Sequence, residues 1–527
     1  MQIKYSDKSV LVVEHNQESL SLLKHTLNLL GFTQVLSASS VNMALSLMRS
    51  MPFDLCIAGY DLAKDEKVGL QLLQEAREEG VFSHQGLFLL VLDPARASLL
   101  KSALVFAPDS YVTLPLEPPK LRNRLDKLWR VKLVTAQIEQ LRDQKDFGKA
   151  ARACDLVAKR YPGLQVYLDR LKGITLLQAK RTEEAKSVFL GLSQRPNLTW
   201  AVVGAGIALY DQGEYPASQK ALQQVVDRQQ MGVEVFFWLA KALQAQGLNK
   251  QALNLLRKAV MLQPSIALLQ KALAETAEQN QQWRLALEAY QKGLAYSRYS
   301  VFQHPDLYLA VIYAMGQLFE GQDVAKWRQV EQEILTLSES LLQDYEGDEQ
   351  VALSAKLMAV EAFKAANAVE KSVVRARDAW SMFSQLTNEK QCEWLPTIEQ
   401  VLTEPESRLK VEKRRAELVS ESEHLPDWFA LWLTGLSALK SGDLQKAYLH
   451  LRKSAKALPE HSGLSLQWID AGLGLLESGR TKQLSLLHDC EKQLFSLSYA
   501  GMNQKQKTDF GELQQRCAKL RSHLQPS

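Results

Sequence analysis

Apolar residues in the first 130 positions fall in short runs separated by helical patterns; beyond position 131 they fall almost entirely at helical spacing. Residues 9–13 (Ser-Val-Leu-Val-Val), 35–38, 52–58, 87–92 and 110–113 read as five strands. Between them 18–30, closed by Gly31, then about 40–49, 69–79 and 95–106 read as helices, with a last one from Pro118. Strands alternating with helices predict a parallel, doubly wound sheet. From position 121 to 147 there is neither Pro nor Gly, and Leu121, Leu125, Leu128, Trp129, Leu133, Ile138 and Leu141 keep helical spacing. The last helix therefore either runs on into the next region or breaks near Arg130.

The second region carries a period. Ala150, Ala185, Ser218, Ala252 and Ala286 follow one another at steps of 35, 33, 34 and 34 residues. Small residues at such a period mark places where paired helices cross closely. The clearest unit starts at Gly232 and runs through Phe236, Phe237, Trp238, Leu239, Ala240, Leu243, Gly247, Ala252, Leu256, Ala259 and Pro264. Ala240 and Ala252 let two helices approach, Gly247 suits a left-handed helix end, and Pro264 stops the second helix. Residues 428–461 repeat the plan with Leu431, Gly435, Gly442, Ala447, Leu451 and Pro459. These units resemble tetratricopeptide repeats, helix–turn–helix modules that bury their apolar faces by stacking on neighbours.

The first region resembles the receiver domain of response regulators across nearly all of 8–130. The pieces that carry the likeness are Val10-Leu11-Val12-Val13 with Glu14, Asp54-Leu55-Cys56-Ile57-Ala58, and Pro108-Asp109-Ser110-Tyr111-Val112-Thr113-Leu114-Pro115. The resemblance implies a flavodoxin-like, five-stranded parallel sheet whose carboxyl edge holds Mg²⁺ between two acidic residues. It further implies an aspartate phosphoacceptor, a hydroxyl and a lysine. On this chain those positions fall on Glu14 with His15, on Gly59, on Leu92 and on Leu114. Phosphoryl transfer needs a carboxylate nucleophile and magnesium needs hard oxygen ligands, and glycine supplies neither. The expectation is a degenerate receiver that docks or dimerises. Asp61, Asp65 and Asp93 are the substitutes an alternative would need, in which phosphate accepted at a non-standard site gates the repeats.

The expected fold class is an α/β receiver-like domain (1–130) followed by an all-α tetratricopeptide superhelical solenoid. The solenoid comprises repeats at 131–298, irregular helices and a connector at 299–427, and a C-terminal repeat region at 428–527. Within 299–427, helices are expected at 323–342 and 350–383, punctuated by Gly321, and 387–426 reads as a looser connector with Pro396, Pro405 and Pro426. A closing helix near 503–523 has a polar outer face suited to a cap. First helices of such repeats line a groove for a partner polypeptide, which makes Tyr167, Arg170, Ile174, Trp200, Val203, Tyr210, Phe237, Lys241, Lys271 and Glu275 candidates. Packing of Trp200, Tyr210 and Phe237 between repeats is an equal reading.

Composition narrows the function. The net charge is +4 over 527 residues with both signs interspersed, so no basic arm announces nucleic acid. No apolar run spans a bilayer, the N-terminus lacks a secretory core, and five scattered cysteines form no CxxC, which together imply a cytoplasmic chain. No phosphate loop, HExxH or GxSxG appears, and the nine histidines lack metal-ligand spacing. We therefore expect no enzyme, cofactor or metal. The layout is similar to bacterial receiver–tetratricopeptide response regulators, which implies two-component signalling with protein contact as output. A solenoid that senses a small peptide is a further alternative.

Overall fold

The computed structural model describes residues 3–62, 67–93, 104, 107–195, 198–227, 232–318, 324–420, 426–479 and 483–524. Asp65, Gly321 and the helix expected at 95–106, apart from Leu104, lie outside them. The chain divides into two compact units, Met1–Leu243 with Gln251–Gln270 and Ala295–Gln303, and Gln244–Lys250 with Lys271–Leu294 and His304–Ser527.

In the first unit β1 (Ser9–Val13), β2 (Gln34–Ala38), β3 (Leu55–Gly59), β4 (Leu87–Val91) and β5 (Ser110–Val112) form a parallel sheet in the order β2-β1-β3-β4-β5. Every residue of β3 and β4 is buried, as expected for strands covered on both faces. Val10, Val12, Leu55, Ile57, Leu87 and Leu89 point to one side, and Leu11, Val13, Cys56, Ala58, Phe88 and Leu90 to the other. Among the described residues α1 (Gln17–Leu30), α2 (Val41–Ser50) and α3 (Gly69–Glu78) follow the first three strands. Asn16 caps α1 by accepting the Ser19 N–H at 2.9 Å, and Gly31, with φ 99°, ends it.

The junction is one helix. α4 (Pro118–Asp143) runs 26 residues without interruption. Its first half buries Leu121, Leu125 and Trp129 on the sheet, and its second half buries Ile138 against Ala150, Cys154 and Leu171. The expected border at 130 thus falls in mid-helix.

Helix pairs follow: α5 (Phe147–Arg160), α6 (Gln165–Gln178), α7 (Thr182–Ser193), α8 (Thr199–Asp211), α9 (Tyr215–Asp227), α10 (Val233–Ala245), α11 (Asn249–Leu262), α12 (Ala267–Gln279) and α13 (Trp283–Ser297). The turns between paired helices hold a left-handed residue: Lys145, Lys180, Gly213, Gly247 and Gln281, with φ between 57° and 77°. Each stands five positions before one of the small residues Ala150, Ala185, Ser218, Ala252 and Ala286, and all five of those are fully buried. One period therefore fixes both the turn and the crossing point.

The second unit continues with α14 (Pro305–Leu318), α15 (Val324–Asp344), α16 (Glu349–Ala365), α17 (Val369–Gln385), α18 (Asn388–Val401), α19 (Pro405–Ser420), α20 (Asp427–Lys440), α21 (Leu444–Ala457), α22 (Ser462–Glu477), α23 (Leu484–Leu494) and α24 (Gln504–Leu524). Two expectations are corrected here. The single helix expected at 350–383 is two, because Asn367 takes the left-handed conformation (φ 58°) five residues before buried Ser372. The loose connector is helical: Thr387 caps α18, whose Cys392, Leu395, Ile398 and Val401 are buried, and Pro405 opens α19, where a missing N–H is harmless. The closing helix does turn a polar face outward, through exposed Gln504, Lys505, Thr508, Glu512, Gln515 and Lys519, but Gln506, Lys507, Gln514 and Arg521 also lie on its buried face. All five cysteines are buried. Among the described residues no helix is long and apolar enough to cross a membrane.

Candidate functional site

Among the described residues, side chains crowd the carboxyl edge of the sheet around position 59. Glu14, at the end of β1, is 8% exposed, and its Oε1 accepts the Asn16 N–H at 2.9 Å. Its Oε2 lies 2.7 Å from the point where a Cβ at position 59 would stand, and Leu62 Cδ2 lies 3.3 Å from it. The start of α3 shuts the other side, because a Cβ on Gly69 would fall on the Gly59 carbonyl. His15 is exposed, Leu92 is buried, Leu114 is exposed, and Asp61 and Asp93 are exposed on loops. Magnesium would need several oxygen ligands here. Among the described residues one carboxylate, already bonded to backbone and set beside a glycine at position 59, does not fit it. Among the described residues no group of three or more His, Cys, Asp or Glu could hold a metal ion.

A second feature of this unit is a cavity of about 440 Å³ bounded by α3, α4, the strand connections and the first repeat helices. Its wall is a knot of paired charges. Lys132 Nζ sits 2.9 Å from Asp109 Oδ1 and 3.4 Å from Glu139 Oε1, and donates to the His84 carbonyl at 2.6 Å. Arg142 approaches the other Glu139 oxygen at 2.8 Å. Burial opposes the charge on Glu139, yet Lys132 and Arg142 prevail and hold its carboxyl below the usual range. Asp143 accepts from Ser83 Oγ at 2.6 Å, His84 N at 2.9 Å and His84 Nδ1 at 2.6 Å. Against the opposing effect of burial, these bonds bring its carboxyl down to about 2. Arg77 donates to the Phe82 carbonyl at 2.9 Å and stacks 4.7 Å from that ring.

Three of the groove candidates, Tyr167, Arg170 and Ile174, line this cavity. Burial raises the Tyr167 hydroxyl and lowers the Arg170 guanidinium, the latter opposed by Glu234. Arg170 lies 5.3 Å over Trp200, whose ring meets Phe189 edge-on at 6.4 Å. Val203 is fully buried. Tyr210, Phe237 and Lys241 gather elsewhere, around Trp238, with rings 5.5 and 5.6 Å apart and Lys241 Nζ 5.3 Å over Phe237. Trp238 and the charges at 77, 84, 132, 139, 142 and 143 are absent from the sequence candidates. The spacing of 132, 139 and 143 along one helix is the signal that could have found them.

The α/β domain also clasps the repeats through α3. Lys67 and Gln71 both donate to Glu75, at 2.8 and 2.7 Å, and then reach the carbonyls of Arg298 (3.4 Å) and Tyr296 (3.3 Å). Gln263 donates to the Tyr60 hydroxyl.

Residues 203–267 match the tetratricopeptide repeat family. No curated protein matches the sequence. Among solved structures, the human IFIT1 dimer with m7Gppp-AAAA is 16% identical, over 77% of this chain and 84% of its own, with a TM-score of 0.31. An IFIT1 monomeric mutant with Gppp-AAAA is 15% identical over 74% and 80%, with the same TM-score. Likeness at this level says nothing of a shared ligand.

In the second unit, Lys271 donates to Ser498 Oγ at 3.2 Å and lines a cavity of about 810 Å³. Its nearest tetratricopeptide neighbour among the candidates, Glu275, stands 3.9 Å from it. Deep in this cavity is Glu361 on α16, 7% exposed, whose Oε2 accepts the Gln504 N–H at 2.9 Å. Burial pushes its carboxyl up to about 7, against that bond and the more distant Lys507 and Lys364. The folded chain therefore holds the proton more tightly than the unfolded one. The stability this confers is complete below the ordinary carboxylate range and is lost as pH rises towards 7. Glu361→Gln is expected to gain stability relative to the parent between pH 5 and 8, by up to about 3 kcal/mol. Denaturation midpoints at four pH values check this; a constant offset would contradict it.

Proposed function

We propose that this chain is a non-enzymatic scaffold in which a receiver-like domain, unable to take phosphate, is docked on its own repeats while the helix pairs hold a partner protein. The observation that carries this is the glycine at position 59, which has no carboxylate to phosphorylate and stands beside the buried Glu14 carboxylate, whose Oε2 is 2.7 Å from where a Cβ would lie. The paired charges along α4 and the α3 clasp support a domain fixed in place, since Lys132, Arg142 and Lys67 each pair with a carboxylate. Tetratricopeptide repeats supply protein-binding surface, and the Tyr210–Trp238–Phe237–Lys241 cluster has the aromatic and cationic make-up of interface anchors. On this reading, the resemblance of residues 8–130 to receiver domains supports signalling as the setting of that output.

Two experiments test this on the intact chain, because a cut at 130 would sever α4. Incubated with acetyl phosphate and Mg²⁺, both the parent and Gly59→Asp are expected to form no acyl phosphate. Stoichiometric labelling of the parent, at Asp61 or Asp93 for instance, would favour the phosphorelay reading instead. Immobilised chain should retain a native partner, and Phe237→Ala with Lys241→Ala should weaken retention about tenfold, the scale of one to two anchor residues. Equal retention would remove this cluster from the binding surface.

A further inference from the structure

The 810 Å³ cavity of the second unit is built from α14, α16, α18 and the segments before α22 and α24. Its walls are apolar at Leu309, Val351, Met358, Trp394 and Leu497. Its charge is one-sided: Asp306, Asp348, Glu361, Glu393 and Glu460 line it, against Lys271 and His304. Asp306 is spent on His304 at 3.3 Å and on Ser498, and Asp348 caps α16 by accepting from Gln350 and Val351. His461 is committed too, with Nε2 3.0 Å from the Glu393 carbonyl and Nδ1 accepting the Leu464 N–H. Glu361 differs from all of these. It is more than nine-tenths buried, and one backbone N–H is the only hydrogen bond it receives among the described residues, on Oε2. The indole N–H of Trp394, in the same wall, is buried and has no acceptor.

A buried carboxylate with an open oxygen, in an acidic chamber with apolar sides, is matched by a fixed cation carried on an apolar chain. We propose that this cavity receives an arginine or lysine side chain of an extended partner segment, with the cation on Glu361 and its apolar neighbours on the walls. The size suits a few residues of peptide. This rests on the scaffold reading and names the class of partner and the site that takes it.

The test titrates the intact chain at pH 8 with three acetylated, amidated peptides, Gly-Leu-X-Leu-Gly, where X is arginine, its neutral isostere citrulline, or glutamate. The arginine peptide is expected to bind at least about tenfold more tightly than the citrulline peptide, and the glutamate peptide more weakly still. Glu361→Gln, verified as folded by circular dichroism, should bring arginine and citrulline within about twofold. The proposal is overturned if the variant keeps the arginine preference, if the glutamate peptide binds best, or if none binds at about 1 mM. In the last case, retention of a native partner by immobilised chain leaves the scaffold standing and removes only this site; loss of both removes the two together. Self-association that excludes the arginine peptide would assign the cavity to a second copy and also overturns it.

Discussion

Replacing Lys507 with Met is expected to cost about 3–5 kcal/mol, the range for breaking a buried ion pair from one side. Lys507 on α24 is 6% exposed, and its Nζ lies 2.7 Å from Glu278 Oε1, off the hydrogen-bond axis. It also stands 3.8 Å over the Tyr313 ring, where the π-face favours a cation. Glu278 is 3% exposed and its other oxygen accepts from the Tyr290 hydroxyl at 2.8 Å. Methionine keeps the stem's volume and removes the charge, so Glu278 is left ionised in an apolar site with a single donor. Removing both charges, by Lys507→Met with Glu278→Gln, should recover at least half of the loss. Equilibrium denaturation at pH 7 measures both. A single-variant loss below about 1 kcal/mol would show that water reaches the pair.

That pair shows what α24 does. Its buried face presents Gln506, Lys507, Gln514 and Arg521, and each meets a polar partner. Gln514 donates to the Gln244 carbonyl at 2.7 Å, and Arg521 Nε donates to Glu491 at 2.9 Å. A helix held by matched polar contacts is specified in register and orientation rather than merely covered. Glu361, whose oxygen takes the Gln504 N–H at the first residue of α24, ties the proposed peptide site to the seating of this helix.

Much of the fold is legible in the sequence because it rests on periodicity. The first strand matches its expected limits, and the others lie within a residue or a few of theirs. The 34-residue step of small residues locates the repeat crossings from Ala150 to Ala286. The turns are only half visible. Gly213 and Gly247 announce a left-handed end, whereas Lys145, Lys180, Gln281 and Asn367 take the same conformation without glycine, held by the helices on either side. In 299–427 the period fades because the helices lengthen, to 21 residues in α15 and 17 in α16 and α17, although Asn367 and Ser372 keep the five-residue step from turn to crossing. The charged knot is legible only in part, through the spacing of 132, 139 and 143 that puts them on one helix face. Lys132, Glu139 and Asp143 read as a solvated helix face until the fold brings Asp109 and His84 against them. Glu361 could have been found, as a lone carboxylate in the apolar run from Leu357 to Phe363.

Phe189→Ala is the other large effect expected, at about 3–5 kcal/mol. The ring is fully buried, and a Cβ at either Gly173 or Gly204 would strike it. It therefore fills a slot between α6 and α8 whose walls are bare backbone, and no side chain at 173 or 204 can relax into the space. That places the loss towards the upper end of the range. Gly204→Ala alone should also destabilise, by about 1–3 kcal/mol, because the added methyl meets the ring at 2.6 Å. In the Phe189→Ala background the same substitution puts a methyl into the vacated slot, so it should become stabilising. A double-variant cycle in urea reads that change of sign; additive losses would mean that the glycines are tolerated for another reason and that the ring does not set the helix spacing. Trp200 rests edge-on against Phe189 and carries Arg170 above it, so the Phe189→Ala chain should also loosen the wall of the 440 Å³ cavity while leaving the sheet intact.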